Sequence, residues 1–240
     1  IATSIPLTNV PGGQRFSFRQ NYPGGFTPAF GATITDAAMA AGIKGEVGSG
    51  LTYDLSASYG QNHASYRIDN TVNPSLGLTS PTSFKPGQLE QRELAFNLDL
   101  TYPINIGGGD PLTLAGGLEY RRETYEITVG DLASWQVGPF ASLIDPDTGN
   151  RVGLPVGSNG FPGFSPIQAG EFGRSNWAAY SSLEGNLSEA FQIGLAGRYE
   201  NYSDFGSRFT WKLSSRFDFS DVFAIRGSVN TGFRAPTPGQ

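Results

Sequence analysis

Apolar and polar residues alternate with a period of two over much of the chain. Between 209 and 219 the odd positions are mostly apolar, as at Phe209, Trp211 and Leu213, and the even positions are mostly polar or charged. Because successive side chains of a strand point to opposite faces, this pattern predicts a β-strand with one apolar and one polar face. The alternation is also clear in 94–102, 191–202 and 223–233, and looser in 37–47, 51–59, 112–123 and 176–187. These segments predict about eight strands, each near the roughly 9–11 residues with which a tilted strand crosses a bilayer.

The connections between the predicted strands differ in length. Those at 48–50, 103–110, 188–190 and 220–222 are short, those at 60–92 and 131–174 are long, and 203–208 is intermediate. Short and longer connections alternate, which is typical of outer-membrane barrels with short periplasmic turns and long extracellular loops. A structureless loop as long as 131–174 would count against an ordinary compact domain. The pattern favours a transmembrane β-barrel whose longer connections face outward.

Composition narrows the class of protein further. The 240 residues include 33 glycines, 12% aromatic and 15% charged residues, which argues against a disordered chain or a charge-rich helical protein. The net charge of -5 and the scattered Lys and Arg residues give no basic surface for nucleic acid. The chain lacks a run of about 18 apolar residues, which excludes a transmembrane helix but not a membrane barrel. It has no cysteine for disulfides or thiolate metal sites.

Residues suited to catalysis or metal binding are few. His63 is the only histidine, and no nucleophile elbow or metalloprotease motif accompanies it, so neither catalytic nor metal-binding residues are predicted. The favoured interpretation of His63 is a solvated histidine at the mouth of a loop. The segment 145–150, DPDTGN, spaces its oxygen ligands as calcium loops do but lacks the acidic residue at the bidentate position, so a turn is favoured. No cofactor is predicted.

A binding role has better support than catalysis. The long loop 131–174 carries four aromatic residues and two arginines among Gly and Pro: Trp135, Phe140, Phe161, Phe164, Arg151 and Arg174. Aromatic faces with a few cations suit ligands such as siderophores or glycans, because stacking costs little side-chain entropy. The alternative is that these aromatics pack the loop against itself or form a girdle at the lipid headgroups.

Four basic residues alternate on the polar faces of neighbouring predicted strands: Arg198, Lys212, Arg216 and Arg226. In a barrel these residues would face the lumen, where they would either contact the acidic groups of a plug or line a solvated interior. The sequence leaves both interpretations open.

Three motifs carry a resemblance to TonB-dependent outer-membrane receptors. They are RSNWAAY at 174–180, RYENYSDFG at 198–206 and RGSVNTGFRAP at 226–236, the last ending in Gly232, Phe233, Arg234, Ala235 and Pro236. The resemblance is clearest over 174–240, and the loop segments at 22–26 and 158–164 are similar to one branch of the family. It implies a barrel of about 22 strands with a plugged lumen, of which eight or nine strands are about two-fifths.

The resulting hypothesis is an all-β, antiparallel up-and-down meander that forms part of a transmembrane barrel in the bacterial outer membrane. The resemblance implies that 1–240 is a single partial barrel domain. A plug, a TonB box and closing strands would then lie outside it. The residues Phe233 to Pro236, the FRAP motif, would fall in mid-barrel. It implies energy-coupled uptake of an unknown small-molecule ligand, with membrane lipid, the remaining strands, the plug and TonB as partners, and no enzymatic activity. The alternative is a secreted or surface β-sandwich for adhesion or glycan binding, which would bury its apolar faces between two sheets.

Overall fold

Eight β-strands and four short helices make up the described part of the chain. The computed structural model describes residues 18–48, 50–106, 110–142, 150 and 153–239. The strands are β1 (Ala29–Val47), β2 (Leu51–Asp69), β3 (Ser83–Ile104), β4 (Leu112–Val129), β5 (Gly170–Ser188), β6 (Phe191–Tyr202), β7 (Gly206–Ser220) and β8 (Phe223–Asn230). The helices are α1 (Leu132–Trp135) and three 3-10 helices at Phe18–Gln20, Pro74–Thr79 and Pro139–Ser142. None of the described helices is long and apolar enough to span a membrane.

The strands form one antiparallel sheet in chain order, from β1 to β8, which confirms the predicted meander. β1 to β5 are 18 to 22 residues long, longer than predicted. They continue into segments that the sequence pattern assigned to the long connections. The alternation of apolar and polar residues fades there, because a strand shows it only where its two faces meet different surroundings.

The register of β6, β7 and β8 aligns the apolar positions. Leu195 lies opposite Leu213, which lies opposite Val229, and all three are on one face. The other face is polar, with Gln192 opposite Arg216 and Arg216 opposite Arg226. Since a shift by one residue would exchange the faces, this register fixes which side chains share the apolar face and which share the polar face.

Two further predicted boundaries, in the region of β6 to β8, are also wrong. The connection predicted at 203–208 is only 203–205, because Tyr202 already pairs with Gly206, whose positive φ of 81° allows a tight turn. The strand predicted to run to Phe233 ends at Asn230. Thr231 ends the ladder, since its hydroxyl accepts the Trp211 N–H at 3.0 Å, and the following residues leave the sheet.

The chain divides into two compact units. The first comprises Ile1–Asp36, Asn62–Gln91 and Tyr125–Glu171, and its buried apolar side chains are Ile68, Val72 and Phe84. The second comprises Ala37–Gln61, Arg92–Thr124 and Phe172–Gln240, and thus contains β6, β7 and β8 entirely. In the second unit most large apolar side chains are exposed, for example Leu195 at 45% and Val229 at 53%.

Candidate functional site

In the first unit, Asn73 links segment 70–82 to residues 133–136 and to Gly157 through buried hydrogen bonds. Its side chain is fully buried, and its amide donates to the carbonyls of Ala133 and Gln136 at 2.9 and 3.0 Å. Its Oδ1 accepts hydrogen bonds from the Ser75 N–H, the Ser75 hydroxyl and the Gly157 N–H. A buried amide with all its donors used fixes the path of the backbone, because leaving any of these groups unpaired costs free energy.

A second group of buried polar contacts surrounds Ser134. The Ser134 carbonyl accepts from the N–H groups of Ser158 and Gly163, each at 2.9 Å. Its hydroxyl donates to the Asp131 carbonyl at 2.6 Å. In the described parts of the long connection, 130–142 and 153–164, the backbone is therefore held by hydrogen bonds, which the sequence pattern did not reveal.

Four aromatic rings of the first unit form a cluster. Phe161 packs in a tilted geometry on Phe30, with ring centroids 4.5 Å apart, and on Tyr66 at 5.4 Å, and Phe164 meets Phe161 edge-on at 5.9 Å. Phe161, Phe164 and Tyr66 are half-buried, and Phe30 is 49% exposed. Two loop aromatics predicted to bind ligand are thus packed on strand residues while keeping part of each ring accessible.

The other predicted loop residues have separate positions. Trp135 is half-buried and donates its indole N–H to the Gly130 carbonyl at 3.1 Å. Phe140 packs over Gly77, where a Cβ would collide with its ring. Arg151 and the calcium-like Asp145 and Asp147 lie outside the described residues. Trp135 and Phe140 thus contribute to the packing of the loop, in contacts separate from the aromatic cluster of Phe161 and Phe164.

His63 lies within β2 rather than in a loop, which corrects the prediction. Its Nδ1 is 3.1 Å from Glu90 Oε2, and its side chain is 29% exposed. At the last residue of the same strand, Asp69 accepts hydrogen bonds from Arg67 and from the Ser83 hydroxyl, which hold the pKa of its carboxyl below the ordinary value. The described residues contain no group of His, Asp and Glu able to hold a metal ion.

In the second unit, the apolar face of β5 to β8 has aromatic residues at both ends. Trp177 packs on Tyr199 with ring centroids 5.3 Å apart, and Phe209 lies opposite Tyr199. At the other end Phe219 contacts Phe217 at 4.7 Å and Phe223 at 5.6 Å. Between the two ends the face is aliphatic, with Ile193, Leu195, Leu213, Ile225 and Val229. If β7 is tilted by about 40°, as strands of outer-membrane barrels are, the ten residue steps from Phe209 to Phe219 would rise about 25 Å, which is the height of the apolar band in such barrels.

The polar face of the same strands is joined by ion pairs. Arg198 contacts Glu119 at 3.0 Å and Glu200 at 2.9 Å, and Arg121 contacts Glu119 at 2.8 Å. Beside this group, the hydroxyl of Tyr180 donates a hydrogen bond to the carboxylate of Asp99. Arg198, one of the residues predicted to face the lumen, is therefore part of a charge network that joins β4 and β6 across β5.

The remaining predicted basic residues lie on the same polar face but differ in their partners. Arg216 pairs with Asp218 at 2.7 Å on its own strand. Within the described part of the chain, Lys212 and Arg226 make no ion pair. Together with Arg216 they line one cavity, with Glu184 as the only carboxylate among its lining residues.

The three sequence motifs meet at Arg174. This side chain is 5% exposed and contacts Glu123 at 2.6 Å, while a second nitrogen donates to the Pro236 carbonyl at 2.6 Å. Its guanidinium lies over the rings of Tyr202 and Phe205, with distances of 5.4 and 5.7 Å to the ring centroids.

Arg208 and Phe233 complete the same cluster. Arg208 lies over the rings of Phe205 and Phe233, at 5.6 and 5.2 Å. The segment that follows β8 is thereby fixed against β4, β5 and β6, through Phe233 and Pro236 of its motif. The sequence analysis named Arg174 as a loop residue and Phe233 to Pro236 as a family motif. It did not predict their contact, because no local pattern pairs residues 62 positions apart.

Comparison with known proteins gives the family. The family model described as TonB dependent receptor-like, beta-barrel matches residues 3–240. The chain belongs to the TonB-dependent receptors. It is a protein of the bacterial outer membrane, as the sequence predicted.

Individual relatives of this TonB-dependent receptor chain agree with the assignment. The iron-regulated outer membrane virulence proteins of two Vibrio cholerae serotype O1 strains, Classical Ogawa 395 and El Tor Inaba N16961, are each 31% identical to it over 62 residues. That match covers 26% of the chain and 10% of each relative. The fold is similar to that of the siderophore receptor PirA from Acinetobacter baumannii, with a TM-score of 0.56 and 16% identity over 85% of this chain and 26% of that one. The chain spans about a tenth of the curated relatives and about a quarter of PirA.

Proposed function

We propose that this chain is a sector of a receptor barrel that imports a small nutrient ligand, a siderophore or a glycan, across the outer membrane with energy transmitted by TonB. The observation that carries the proposal is the register of β5 to β8. It places an aliphatic band between two aromatic rows on one face and a charge network on the other. An exposed apolar face with aromatic borders suits lipid, and a paired polar face suits a water-filled or plugged lumen.

Further barrel strands and a plug are the partners that this sheet requires. In the described sheet β1 and β8 are the first and last strands, and each has one edge with no neighbouring strand. An unpaired edge leaves backbone N–H and C=O groups without partners, which is costly in hydrocarbon. Additional strands would complete the hydrogen bonding, and the basic residues Lys212 and Arg226 would meet acidic groups of the plug.

The outer connections are the proposed site of ligand capture. The aromatic cluster of Phe30, Tyr66, Phe161 and Phe164 offers half-buried rings on a hydrogen-bonded support. Rings that are already ordered lose little entropy on stacking with a ligand. This arrangement favours capture by binding, and the receptor role favours transport over catalysis.

The siderophore arm of the proposal is tested by uptake of iron. Cells that carry the complete natural gene, or a deletion of it, would be grown under iron limitation and offered ⁵⁵Fe as a hydroxamate, a catecholate or a citrate complex. The proposal predicts accumulation of at least one complex that requires both the gene and the proton-motive force. A glycan arm uses radiolabelled maltodextrin in the same cells. Equal accumulation of every probe with and without the gene would contradict the uptake function.

The β-sandwich alternative is not supported. A sandwich divides its strands between two packed sheets and buries the apolar faces between them. The described strands form one sheet, and the apolar face of β6 to β8 stays exposed.

A further inference from the structure

Arg122 of β4 lies on the apolar face of the second unit. Its neighbours Arg121 and Glu123 take part in ion pairs of the polar face. Because successive side chains of a strand point to opposite faces, Arg122 shares the apolar face with Leu118 and Tyr120. All three are exposed, and Arg122 makes no ion pair within the described part of the chain. An exposed cation without a counter-ion therefore lies on the surface that the proposed barrel turns to lipid.

Arg92 of β3 lies on the same face. Further along this strand, the carboxylate of Asp99 accepts a hydrogen bond from Tyr180, which pairs with Arg198 on the polar face. The odd positions of β3 therefore share the polar face, and the even positions share the apolar face. Arg92 is half-buried, and the next five residues of its face, beginning with Leu94, are apolar or aromatic.

The two arginines lie at nearly the same level of the sheet. β3 and β4 are neighbouring strands, and a Cβ on Gly117 would lie 2.5 Å from the carbonyl oxygen of Leu98. From that contact Arg122 is five residues and Arg92 six residues toward the ends of the strands that lead into the long connections. Since neighbouring strands are about 4.8 Å apart, one headgroup can reach both side chains.

Basic residues occur at only this outer end of the apolar face. All other Lys and Arg residues of β4 to β8 occupy odd positions of β4 or even positions of β5 to β8, which form the polar face. The inner end of the apolar face carries the aromatic residues Phe217, Phe219 and Phe223. On β3 and β4 the arginines are the charged residues of this face nearest to the apolar band, since Glu90 and Glu126 lie further out. This asymmetry suits a bilayer whose two leaflets carry different headgroups.

We propose that Arg122, with Arg92 beside it, binds the phosphate groups of a lipid A glycolipid in the outer leaflet. Such phosphorylated glycolipids form most of the outer leaflet of the bacterial outer membrane, whereas phospholipids form its inner leaflet. Basic residues at headgroup depth attract anionic lipid, and a guanidinium group matches the geometry of phosphate oxygens. Tyr120, the preceding residue of the face, is of the type that borders the apolar band. The inference goes beyond the proposed function, because it concerns the lipid around the barrel and not the imported solute.

The test is photo-crosslinking at the site itself. The intact receptor, with benzoylphenylalanine in place of Tyr120, is purified in detergent at low ionic strength and titrated with bisphosphorylated lipid A. The crosslinked fraction gives the concentration at half-saturation for this position alone. The same lipid without its phosphates, and phosphatidylglycerol, are titrated in parallel. Saturable crosslinking at the lowest concentration for bisphosphorylated lipid A is the expected result.

Variants of Arg122 separate charge from packing. Arg122→Gln should raise the half-saturation concentration by about fivefold, and Arg122→Glu by about tenfold or more. Arg122→Lys keeps the charge and should stay within about threefold of the parent. The matched control is Arg121→Gln, which removes the same charge at the same depth on the polar face and should change the value by less than about twofold. Heat-modifiable migration in electrophoresis shows that each variant is folded.

Three results would overturn the proposal. They are equal crosslinking of lipid A with and without its phosphates, equal crosslinking of phosphatidylglycerol, and half-saturation that is unchanged in both Arg122→Gln and Arg122→Glu. The titration needs neither TonB nor a transported solute, so the uptake experiment decides the proposed function separately.

Discussion

Replacing Asn73 by alanine should release the outer connections of the first unit. The substitution removes the partners of four groups: the carbonyls of Ala133 and Gln136, the Gly157 N–H and the Ser75 hydroxyl. The Ser75 N–H keeps a second acceptor, the Pro155 carbonyl at 3.1 Å, and is not counted.

The magnitude follows from these four bonds. At about 1 kcal/mol for each buried hydrogen bond, the local free energy of opening falls by about 4 kcal/mol. Since each 1.4 kcal/mol is roughly a factor of ten, the opening equilibrium rises by roughly a hundredfold to a thousandfold. The effect is local, because all the affected groups belong to segments 73–80 and 131–164 of the first unit.

Hydrogen exchange with mass spectrometry of the receptor in detergent measures this opening. Peptides from 71–80 and 132–138 should exchange faster in Asn73→Ala by the factor above, while peptides from β6 and β7 keep their rates. Asn159→Ala is the matched control, because its side chain is exposed and only its backbone bonds to Thr71 and Val72. A rise of less than about threefold, or one no larger than in the control, would refute the role of Asn73.

Three further predictions concern the two units separately. Gly138→Ala should speed exchange in 73–80, because its Cβ would collide with the Ser75 carbonyl, whereas Gly24→Ala enters open space and should have no effect in the same assay. Arg174→Lys should cost about 2 kcal/mol in the docking of 231–237, since one ammonium cannot bridge Glu123 and Pro236 while stacking on two rings. Limited proteolysis of that segment measures the loss, with the exposed pair of Arg216→Lys as a control that should change little. Leu213→Lys, on the apolar face, should reduce barrel assembly by about 2–4 kcal/mol, but Ser214→Lys, on the polar face, should not. Heat-modifiable migration in electrophoresis tests both, and equal effects would contradict the assignment of faces.

The sequence predicted the sheet better than the loops. The period of two identified β6 and β7 because their faces meet different surroundings, and the register later confirmed the apolar face through Leu195, Leu213 and Val229. The outer ends of β2 and β3 were missed because their side chains lack that contrast. The short turn at 203–205 was also missed, since its tightness depends on the positive φ of Gly206.

The candidate site was predicted in its residue types and less in its arrangement. The aromatic character of Phe161 and Phe164 marked them as candidates, but their contacts with Phe30 and Tyr66 arise from pairing between distant segments. The same holds for Arg174 and Pro236, which a motif search places in separate motifs. Long-range contacts of this kind follow from topology and leave no local pattern in the sequence.

The most direct test of the account is cysteine scanning of β7. The chain has no cysteine of its own. With any cysteine elsewhere in the receptor replaced by serine, each position from 207 to 219 can carry a single spin label in the receptor reconstituted in lipid. The account predicts that oxygen dissolved in the bilayer speeds the relaxation of labels at five positions of the apolar face: Phe209, Trp211, Leu213, Ser215 and Phe217. Labels at Thr210, Lys212, Ser214 and Arg216 should instead respond to a water-soluble nickel complex. Equal access of the nickel complex to both sets would contradict the membrane barrel.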